Sequence, residues 1–203
     1  APQVENDGVI VAKKGKVELA AGTKVALDFT GDGTVSVLPS QEAIDAAVTN
    51  KGLVEADGGL VFLTAQTGED LIGSAVNQDG IVRARSLDGK TGTVRMTAND
   101  VRLGSGSATD VTGAQGGTVE AGGGWQGAGS LSHAKNVTME QGAKIDASAK
   151  QDGGAGGVVA LWSDGETKFA GEIVARGKGA GAGGSIETSG PRLTVEGLAS
   201  AAS

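Results

Sequence analysis

The sequence predicts an all-β protein, a right-handed parallel β-helix (β-solenoid) with one or two short helices on its outer face. Short runs recur in which every second residue is apolar, as at Val159 and Leu161, and a period of two is that of a strand with one buried face. Glycine accounts for 37 of the 203 residues and opens most of these runs. Val54 and Val82 occupy the same position in two runs and lie 28 residues apart, and a fixed spacing of about 20–50 residues is typical of a solenoid or a propeller.

The repeating unit is a pair of strands, written as glycine, x-Ile/Val-x-Ala, a glycine-rich turn and x-Val-x-Leu. Its copies are residues 8–19, 52–63, 80–96, 142–161 and 171–188, with a degenerate copy at 110–121. The turns are glycine runs of variable length, which suit coils that pair in parallel with the next coil better than the tight hairpins of a propeller blade. Roughly 22–28 residues per coil give about seven to nine coils, and parallel crossovers are overwhelmingly right-handed. We therefore interpret residues 1–203 as one β-helix segment.

One strand departs from this pattern, because its outward-facing residues Leu60 and Phe62 are both large and apolar. Two helix-like segments flank it, near residues 40–48 and 67–77. Both carry apolar residues at helical spacing, and the second begins with a capping-box pattern. We predict that one or both helices cover Leu60 and Phe62 on the outside of the solenoid. A neighbouring molecule or domain is the alternative cover.

The strand pattern thins between residues 103 and 132, where glycine-rich stretches predict long loops that protrude from the coil. Trp125 lies in the middle of them. It is a weak candidate for a ligand-binding residue, and the alternative is a tryptophan folded back onto the wall of the solenoid. Trp162 is the second aromatic residue that an outer wall could expose.

Composition excludes several classes of function. The net charge of -7 argues against nucleic acid or an anionic membrane surface as a partner. No apolar stretch approaches the ~20 residues that membrane insertion of a helix needs. His133 is the only histidine and cysteine is absent, so a histidine-based metal cluster or a Ser-His-Asp triad is not expected, and neither is a cofactor. Asn136 begins a glycosylation sequon, which three residues alone do not establish.

An enzyme is the rival from another class, since β-helices also host enzymes that act on polysaccharides. Such an enzyme needs paired carboxylates at matched outward positions of adjacent coils. In the 28-residue register Glu55 is matched with Arg83, and Asp146 with Val174. Neither match is an acid pair, so the sequence predicts that the protein is not an enzyme.

The second half of the chain contains an ordered series of short motifs: Trp162-Ser163-Asp164-Gly165, Thr167, Phe169-Ala170-Gly171, Ile173, Ala175-Arg176-Gly177 and Gly183-Gly184-Ser185-Ile186-Glu187-Thr188-Ser189-Gly190. In these motifs it resembles a known family, the filamentous haemagglutinin-like exoproteins, which are passengers of bacterial two-partner secretion. In the first half, residues 15–22, 27–29, 31–33 and 51–59 are similar to the stretch that follows the secretion domain of that family.

The resemblance implies a large surface adhesin, exported through an outer-membrane secretion pore to the medium or the bacterial cell surface. It also implies that the chain is an internal fragment, preceded by a secretion domain. We expect a structural and adhesive rod segment with a role in adhesion or biofilm attachment, and with glycans, polysaccharide or host surface receptors as partners. A spacer stalk that binds nothing and, less favoured, a β-helix enzyme acting on polysaccharide are the alternatives.

Overall fold

A computed structural model describes residues 1–22, 24–26, 36–38, 46–66 and 73–203. This part of the chain is almost entirely β-structure. In chain order the strands are β1 (Gln3–Asn6), β2 (Val9–Val11), β3 (Lys16–Ala21), β4 (Lys24–Ala26), β5 (Ser36–Leu38), β6 (Ala46–Asn50), β7 (Leu53–Glu55), β8 (Leu60–Ala65), β9 (Ser74–Gln78), β10 (Ile81–Arg83), β11 (Thr93–Thr97), β12 (Asp100–Leu103), β13 (Ala108–Asp110), β14 (Thr118–Ala121), β15 (Asn136–Met139), β16 (Lys144–Asp146), β17 (Val158–Trp162), β18 (Glu166–Phe169), β19 (Glu172–Val174), β20 (Ser185–Ser189), β21 (Arg192–Val195) and β22 (Leu198–Ser200). One turn of 3-10 helix occupies Trp125–Gly127.

The strands form three parallel sheets that wrap around one core. Sheet A has the order β1-β6-β9-β12-β15-β18-β21, sheet B β2-β7-β10-β13-β16-β19-β22, and sheet C β20-β17-β14-β11-β8-β3. Each coil adds one strand to each sheet in turn, which defines a parallel β-helix, and the seven strands of sheets A and B agree with the predicted number of coils. Strands β4 and β5 form a separate antiparallel pair. The right-handed sense expected of parallel crossovers stays a prediction.

The predicted register is confirmed in sheets B and C. Val82 pairs with Val54, and Ile173 pairs with Ile145, so the 28-residue spacing is one full coil. The predicted inward positions of the middle copies are fully or almost fully buried: Val54, Ala56, Val61, Leu63, Val82, Ala84, Val94, Met96, Val119, Ala121, Ile145, Ala147, Val159, Leu161, Ile173 and Ala175. In the first and last copies Ile10, Ala12, Leu19, Ile186 and Thr188 are half-buried.

A third strand in each coil was missed, since the two-strand repeat describes only sheets B and C. The core residues of sheet A are Val48, Val76, Val101 and Val137, and each pairs directly with the next. All four are at most 2% exposed. Val48 and Val76 are also 28 residues apart, but the segments around them were interpreted as helices, so the strands of sheet A were not recognised.

The two predicted helices are wrong where the structure describes them. Residues 46–48 of the first segment belong to β6, and residues 74–77 of the second belong to β9. Both strands alternate buried and half-buried residues, and Val48 pairs with Val76 in sheet A. The prediction failed because the apolar residues of such short segments fit a helical spacing as well as a strand. Residues 40–45 and 67–72 lie outside the described residues, and with them the predicted cover of Leu60 and Phe62.

Phe62 faces outward and is nevertheless buried. It pairs with Glu18 on one side and Arg95 on the other, so both of its neighbours in sheet C are charged. Its exposed fraction is 8%, whereas Leu60 is half-buried. The prediction that Phe62 must be covered is therefore confirmed.

The region 103–132 is less irregular than predicted. It contains β13 and β14, which continue sheets B and C without a break. The sequence concealed β13 because its inward residue is Thr109, a polar residue that stands between Val82 and Ile145 in the core. Only the stretch after β14 is a long loop, and it carries Trp125.

Candidate functional site

The loop after β14 brings together the two tryptophans and the only histidine of this aromatic-poor chain. Trp162 ends β17, and residues 122–134 form the loop, which carries Trp125 and His133. Strand β17 is the neighbour of β14 in sheet C, so a loop that folds back over the sheet lies on Trp162. We call this arrangement of Trp125, His133, Trp162 and Asp164 the aromatic corner.

Two glycines of the loop hold the Trp162 indole. A Cβ atom built on Gly123 would lie 2.6 Å from Cδ1 of Trp162, and one built on Gly127 would lie 2.7 Å from Cζ2. Real Cβ atoms do not approach this closely, so any larger residue at either position would displace the ring. Gly127 also has a φ of 67°, which glycine adopts without strain. The glycines from which a protruding loop was predicted therefore allow the loop backbone to pack against the indole.

Polar contacts fix the edge of the same ring. The Trp162 Nε1 group donates a long hydrogen bond of 3.4 Å to Oδ1 of Asp164. The same oxygen lies 3.1 Å from Nδ1 of His133, and Nε2 of His133 lies 3.1 Å from the carbonyl oxygen of Gly127. The His133 and Trp162 rings are tilted by 57° with centroids 6.1 Å apart. The histidine thus links the loop to the strand end.

Trp125, the predicted ligand-binding candidate, lies on the outer side of the corner with 36% of its surface exposed. Its 3-10 turn is attached to sheet C, because the backbone N–H of Gln126 donates to Oε2 of Glu187 at 2.6 Å. Glu187 also accepts from the Ser189 hydroxyl at 2.8 Å. The role of Trp125 in binding stays a prediction.

A surface groove of about 570 Å³ opens beside Trp162. Its lining residues are Trp162, Ser163, Asp164, Thr188, Ser189, Gly190, Pro191 and Leu193. A second groove of about 420 Å³ adjoins it and shares Asp164 and Pro191, and its other residues are Lys135, Asn136, Gly165, Glu166 and Arg192. Trp125 lines neither groove. The sequence analysis gave Trp162 only as a second aromatic residue on the outer wall and did not predict a groove there. The position of Trp162 at the outward-facing end of a predicted strand is the feature that could have indicated the groove.

Side-chain amides and hydroxyls near these grooves are mostly engaged. Asn136, the sequon asparagine, donates from Nδ2 to Oδ1 of Asp100 at 2.7 Å. The Ser163 hydroxyl lies 2.9 Å from that of Thr167, which donates to the Ser189 carbonyl at 2.7 Å. Asp164, in contrast, has 57% of its side chain exposed.

One acid pair escaped the sequence analysis. Asp146 has Val174 on one side as predicted, but on the other side it pairs with Asp110. Local donors hold both carboxylates. Oδ1 of Asp110 accepts the Thr112 hydroxyl at 2.7 Å, and Asp146 accepts the Ser148 N–H at 2.9 Å and Nζ of Lys150 at 3.0 Å.

Burial raises the pKa of Asp146, but the hydrogen bonds from Ser148 and Lys150 lower it by more, so its pKa lies below the ordinary value of 3.8. An acid that is this strong does not hold a proton at neutral pH, so Asp146 is unsuited to general acid catalysis. The predicted pair of Glu55 and Arg83 is present, with 3.7 Å between Oε2 and Nη1. Among the described residues no group of three or more acidic, histidine or cysteine side chains is arranged to hold a metal ion. That the protein is not an enzyme stays a prediction.

The fold and the corner define a class of molecule, a three-sided parallel β-helix with an aromatic corner on one edge. No protein-family model and no curated protein matches the chain. A solved structure does: the chain is similar to the crystal structure of the HMW1 secretion domain from Haemophilus influenzae, with 24% sequence identity and a TM-score of 0.69. The match covers 98% of this chain and 60% of the length of that one. This likeness establishes the fold. Within the described part of the chain, no helix has the length and apolarity to cross a membrane.

Proposed function

We propose that the chain is an exported β-helix segment of a two-partner secretion exoprotein. The observation that carries this proposal is the fold shared with a secretion domain over 98% of the chain. The motif around Trp162–Gly165, which resembles that of two-partner secretion passengers, supports it independently. Secretion and display at the bacterial surface are parts of the same proposal.

The structural likeness also favours a different position of this chain within the exoprotein from the one that the motifs alone imply. The motifs placed a secretion domain before Ala1, whereas the structural neighbour is itself a secretion domain. We therefore propose that this chain is the part that an outer-membrane pore recognises during export. Its architecture suits export followed by folding outside the cell, since each coil pairs only with its neighbours and can be added to a growing β-helix in sequence.

An export assay tests this proposal. The chain is produced with a periplasmic signal peptide in a Gram-negative host, with and without an outer-membrane pore of a two-partner secretion system. We expect the chain in the medium only when the pore is present. The control is an unrelated β-helix of similar size, which should stay in the periplasm in both strains. Retention of the chain by a pore that exports another passenger would contradict the proposal.

Adhesion is the second candidate function, and the aromatic corner favours it over a spacer stalk. Trp125, which is 36% exposed, and the half-buried Trp162 lie at one edge of the β-helix, and tryptophan is enriched among the residues that dominate binding interfaces. Glycans, cell-surface polysaccharide or host receptors are the partners that a secreted adhesive segment would meet. A spacer would show no saturable binding to any of them while remaining folded.

A further inference from the structure

We propose that Arg102 fixes the order in which the third, fourth and fifth coils of the β-helix stack. These coils contain β9–β11, β12–β14 and β15–β17, respectively. This role belongs to folding and is independent of export. Two features point to it: the core of the third coil accepts a wrong neighbour as well as the right one, whereas the charged side chains on the outer wall do not.

The core of the third coil fits the fifth coil as well as it fits the fourth in two of the three sheets. The inward residues concerned are all valines. They are Val76, Val101 and Val137 in sheet A and Val94, Val119 and Val159 in sheet C. A fold in which the fourth coil is left out as a loop would therefore meet no steric or hydrophobic obstacle at these positions.

In sheet B the core favours the wrong neighbour. The inward residue of the fourth coil is Thr109, which stands between Val82 and Ile145. Thr109 is 2% exposed, and its Oγ1 atom has no hydrogen-bond partner in the described part of the chain. Burial of a hydroxyl without a hydrogen bond is unfavourable, so Val82 would pack better against Ile145 than against Thr109. The fourth coil therefore needs a determinant outside the core.

Arg102, on the outer face of β12, contacts acids of both neighbouring coils. Its Nη1 atom donates to Oδ1 of Asp79 at 2.7 Å. Its Nε and Nη2 atoms donate to the two carboxylate oxygens of Glu140 at 2.6 and 3.1 Å. Glu140 also accepts the backbone N–H of Ser105 at 3.0 Å. A planar guanidinium holds several acceptors in fixed directions, so one side chain of the fourth coil connects the third coil to the fifth.

The backbone leaves room for this contact at Gly104. A Cβ atom built on Gly104 would lie 1.9 Å from Oδ1 of Asp79 and 3.0 Å from Nη2 of Arg102, so a larger residue would displace the carboxylate. The hydrogen bonds from Arg102 hold the pKa of the Glu140 carboxyl below its ordinary value of 4.5. Glu140 is therefore ionised at neutral pH, and the arginine neutralises a charge that its removal would expose.

Omission of the fourth coil would remove Arg102 and bring the two acids together. Gln78 and Met139 both pair with the same residue of β12, so without β12 they would pair with each other. The residues that follow them, Asp79 and Glu140, would then face each other across one strand spacing of about 4.8 Å. Like charges that face each other on adjacent strands are destabilising. Sheet A thus disfavours the order that its valines permit.

Sheet C adds a second obstacle to the wrong order. The Nε atom of Arg95 donates to Oε2 of Glu120 in the fourth coil at 2.8 Å. Without the fourth coil Arg95 would face Ala160, which takes the equivalent position in the fifth coil. The outer wall of sheet B does not discriminate, because Arg83 faces an aspartate in either order. The charges of sheets A and C therefore select the neighbour that the core leaves open.

Pulse-labelling hydrogen exchange during refolding from denaturant tests the proposal, with Arg102→Met as the variant. Methionine keeps much of the aliphatic length of arginine and removes its charge. We expect a population in which the amides of β12–β14 are unprotected while those of β9–β11 and β15–β17 are protected. It should be at least about fivefold larger than in the native chain, because two ion pairs are lost together.

Lys168→Met is the matched control for loss of a positive charge. Lys168 continues the outward column of Arg102 in sheet A. Its Nζ atom lies 3.2 Å from Oε2 of Glu166 in the same strand, so this ion pair does not connect coils. The variant should refold as the native chain does.

An engineered pair of cysteines separates omission of the fourth coil from its fraying. The chain contains no cysteine, so Asn77→Cys/Thr138→Cys introduces the only two thiols. Asn77 and Thr138 flank Arg102, so in the native order their Cα atoms are two strand spacings, about 9.6 Å, apart, whereas a disulfide spans roughly 4.4–6.8 Å. We expect the disulfide when Arg102→Met is refolded under oxidising conditions, and not when Arg102 is present. Thr49→Cys/Asn77→Cys, at facing positions of adjacent coils, is the positive control and should close in both backgrounds.

Salt provides a second test, needed because Arg102→Met could fail to fold. In about 1 M NaCl the Debye length falls to roughly 3 Å, so refolding of Asn77→Cys/Thr138→Cys with Arg102 intact should then also yield the disulfide. The absence of the disulfide in folded Arg102→Met, or at high salt where that variant does not fold, would overturn the proposal. An omitted population in Lys168→Met as large as in Arg102→Met would overturn it too. Loss of protection in β12–β14 without the disulfide would mean that Arg102 only stabilises its own coil.

Discussion

At the scale of single residues, a ladder of buried amides stabilises the turns between sheets A and B. Nδ2 of Asn6 donates to Oδ1 of Asn50 at 2.8 Å, and Nδ2 of Asn50 donates to Oε1 of Gln78 at 2.7 Å. Gln78 completes the ladder by donating to the carbonyl of Gly80 at 2.9 Å. Asn50 and Gln78 are fully buried, so each amide satisfies its neighbour where water cannot.

Asn50→Ala should therefore destabilise the protein more than an ordinary polar substitution. It leaves Nδ2 of Asn6 with only a long hydrogen bond of 3.5 Å to the Leu53 carbonyl and removes the donor to Oε1 of Gln78, and an unsatisfied buried polar group costs about 1–3 kcal/mol. Chemical denaturation measures the loss in the free energy of unfolding. The matched control is Asn77→Ala, at the neighbouring half-buried position of the next coil, which should change stability by less than about 0.5 kcal/mol. Equal losses in both variants would show that the ladder contributes nothing specific.

Asp57 makes stability depend on pH. Burial raises the pKa of its carboxyl, but the hydrogen bonds from Arg85 lower it by more, so the pKa lies below the ordinary value of 3.8. The closest of these bonds joins Nη2 to Oδ2 at 2.6 Å. Because the folded-state pKa is the lower one, ionised Asp57 stabilises the fold at pH values above about 4, and this contribution is lost as the pH falls through the folded pKa.

We expect Asp57→Asn to lower the free energy of unfolding by about 1–2 kcal/mol at neutral pH, a range reduced because Arg85 is 40% exposed. The difference from the native chain should shrink to near zero in strong acid. Asp88→Asn is the control: its partner is Lys14, and both side chains are more than half exposed, so its effect should be smaller and should vanish in high salt. A difference that persists unchanged into strong acid would contradict the role of ionised Asp57.

At the scale of elements, stacked glycines allow the strands of adjacent coils to begin at the same level. A Cβ atom on Gly52 would overlap the carbonyl oxygen of Gly8, and one on Gly80 would overlap that of Gly52. The same relation connects Gly157 with Gly117 in sheet C. This close approach, rather than turn geometry alone, explains why glycine opens the predicted runs.

Gly52→Ala should thus force neighbouring coils apart and destabilise the protein by about 1–3 kcal/mol, the usual cost of overpacking. Gly8→Ala is the matched control, because Gly8 occupies the equivalent position before β2 and the nearest atom to its Cβ would be 3.9 Å away. Thermal unfolding followed by circular dichroism compares the two. Similar melting temperatures for both variants would refute the steric role of the glycine column.

The elements show what the sequence could reveal and what it could not. Sheets B and C followed from the alternation around Val54 and Val82, since two equal coils gave the same spacing. Sheet A did not, although Val48 and Val76 are also 28 residues apart, because both lie in segments whose apolar residues also fit a helical spacing. Strand β13 was not predicted, because its inward residue Thr109 is polar and interrupts the apolar pattern. The aromatic corner depends on how a glycine-rich loop folds back onto Trp162, which no local pattern specifies.

Val159→Asp tests the inward assignment of a strand. Val159 is fully buried in β17, and an unpaired buried charge costs about 3–5 kcal/mol. Val158→Asp, one residue earlier on the outward and half-buried side, is the matched control and should cost far less. The melting temperature of each variant measures the difference. An unchanged melt for Val159→Asp would mean that its side chain does not face the core.

At the scale of the whole molecule, contacts are local along the axis of the β-helix. Each strand of the three sheets pairs only with strands of the coils directly before and after it, so stability is close to a sum over coils and their interfaces. A defect in one coil should then open that coil and its neighbours before the rest of the described structure.

Native-state hydrogen exchange on Val159→Asp examines this locality. We expect the amides of β14, β17 and β20 to lose protection, because these strands share the ladder of Val159. The amides of β6 and β9, two to three coils earlier in the chain, should keep the protection that they have in the native protein, because neither strand pairs with β17 or with its direct neighbours. Gly52→Ala should give the reverse pattern, with protection lost around β6, β7 and β9 and kept in β17 and β20. A uniform loss across all coils in either variant would mean that the β-helix unfolds as one cooperative unit, and that the energy of each coil is shared along the whole axis.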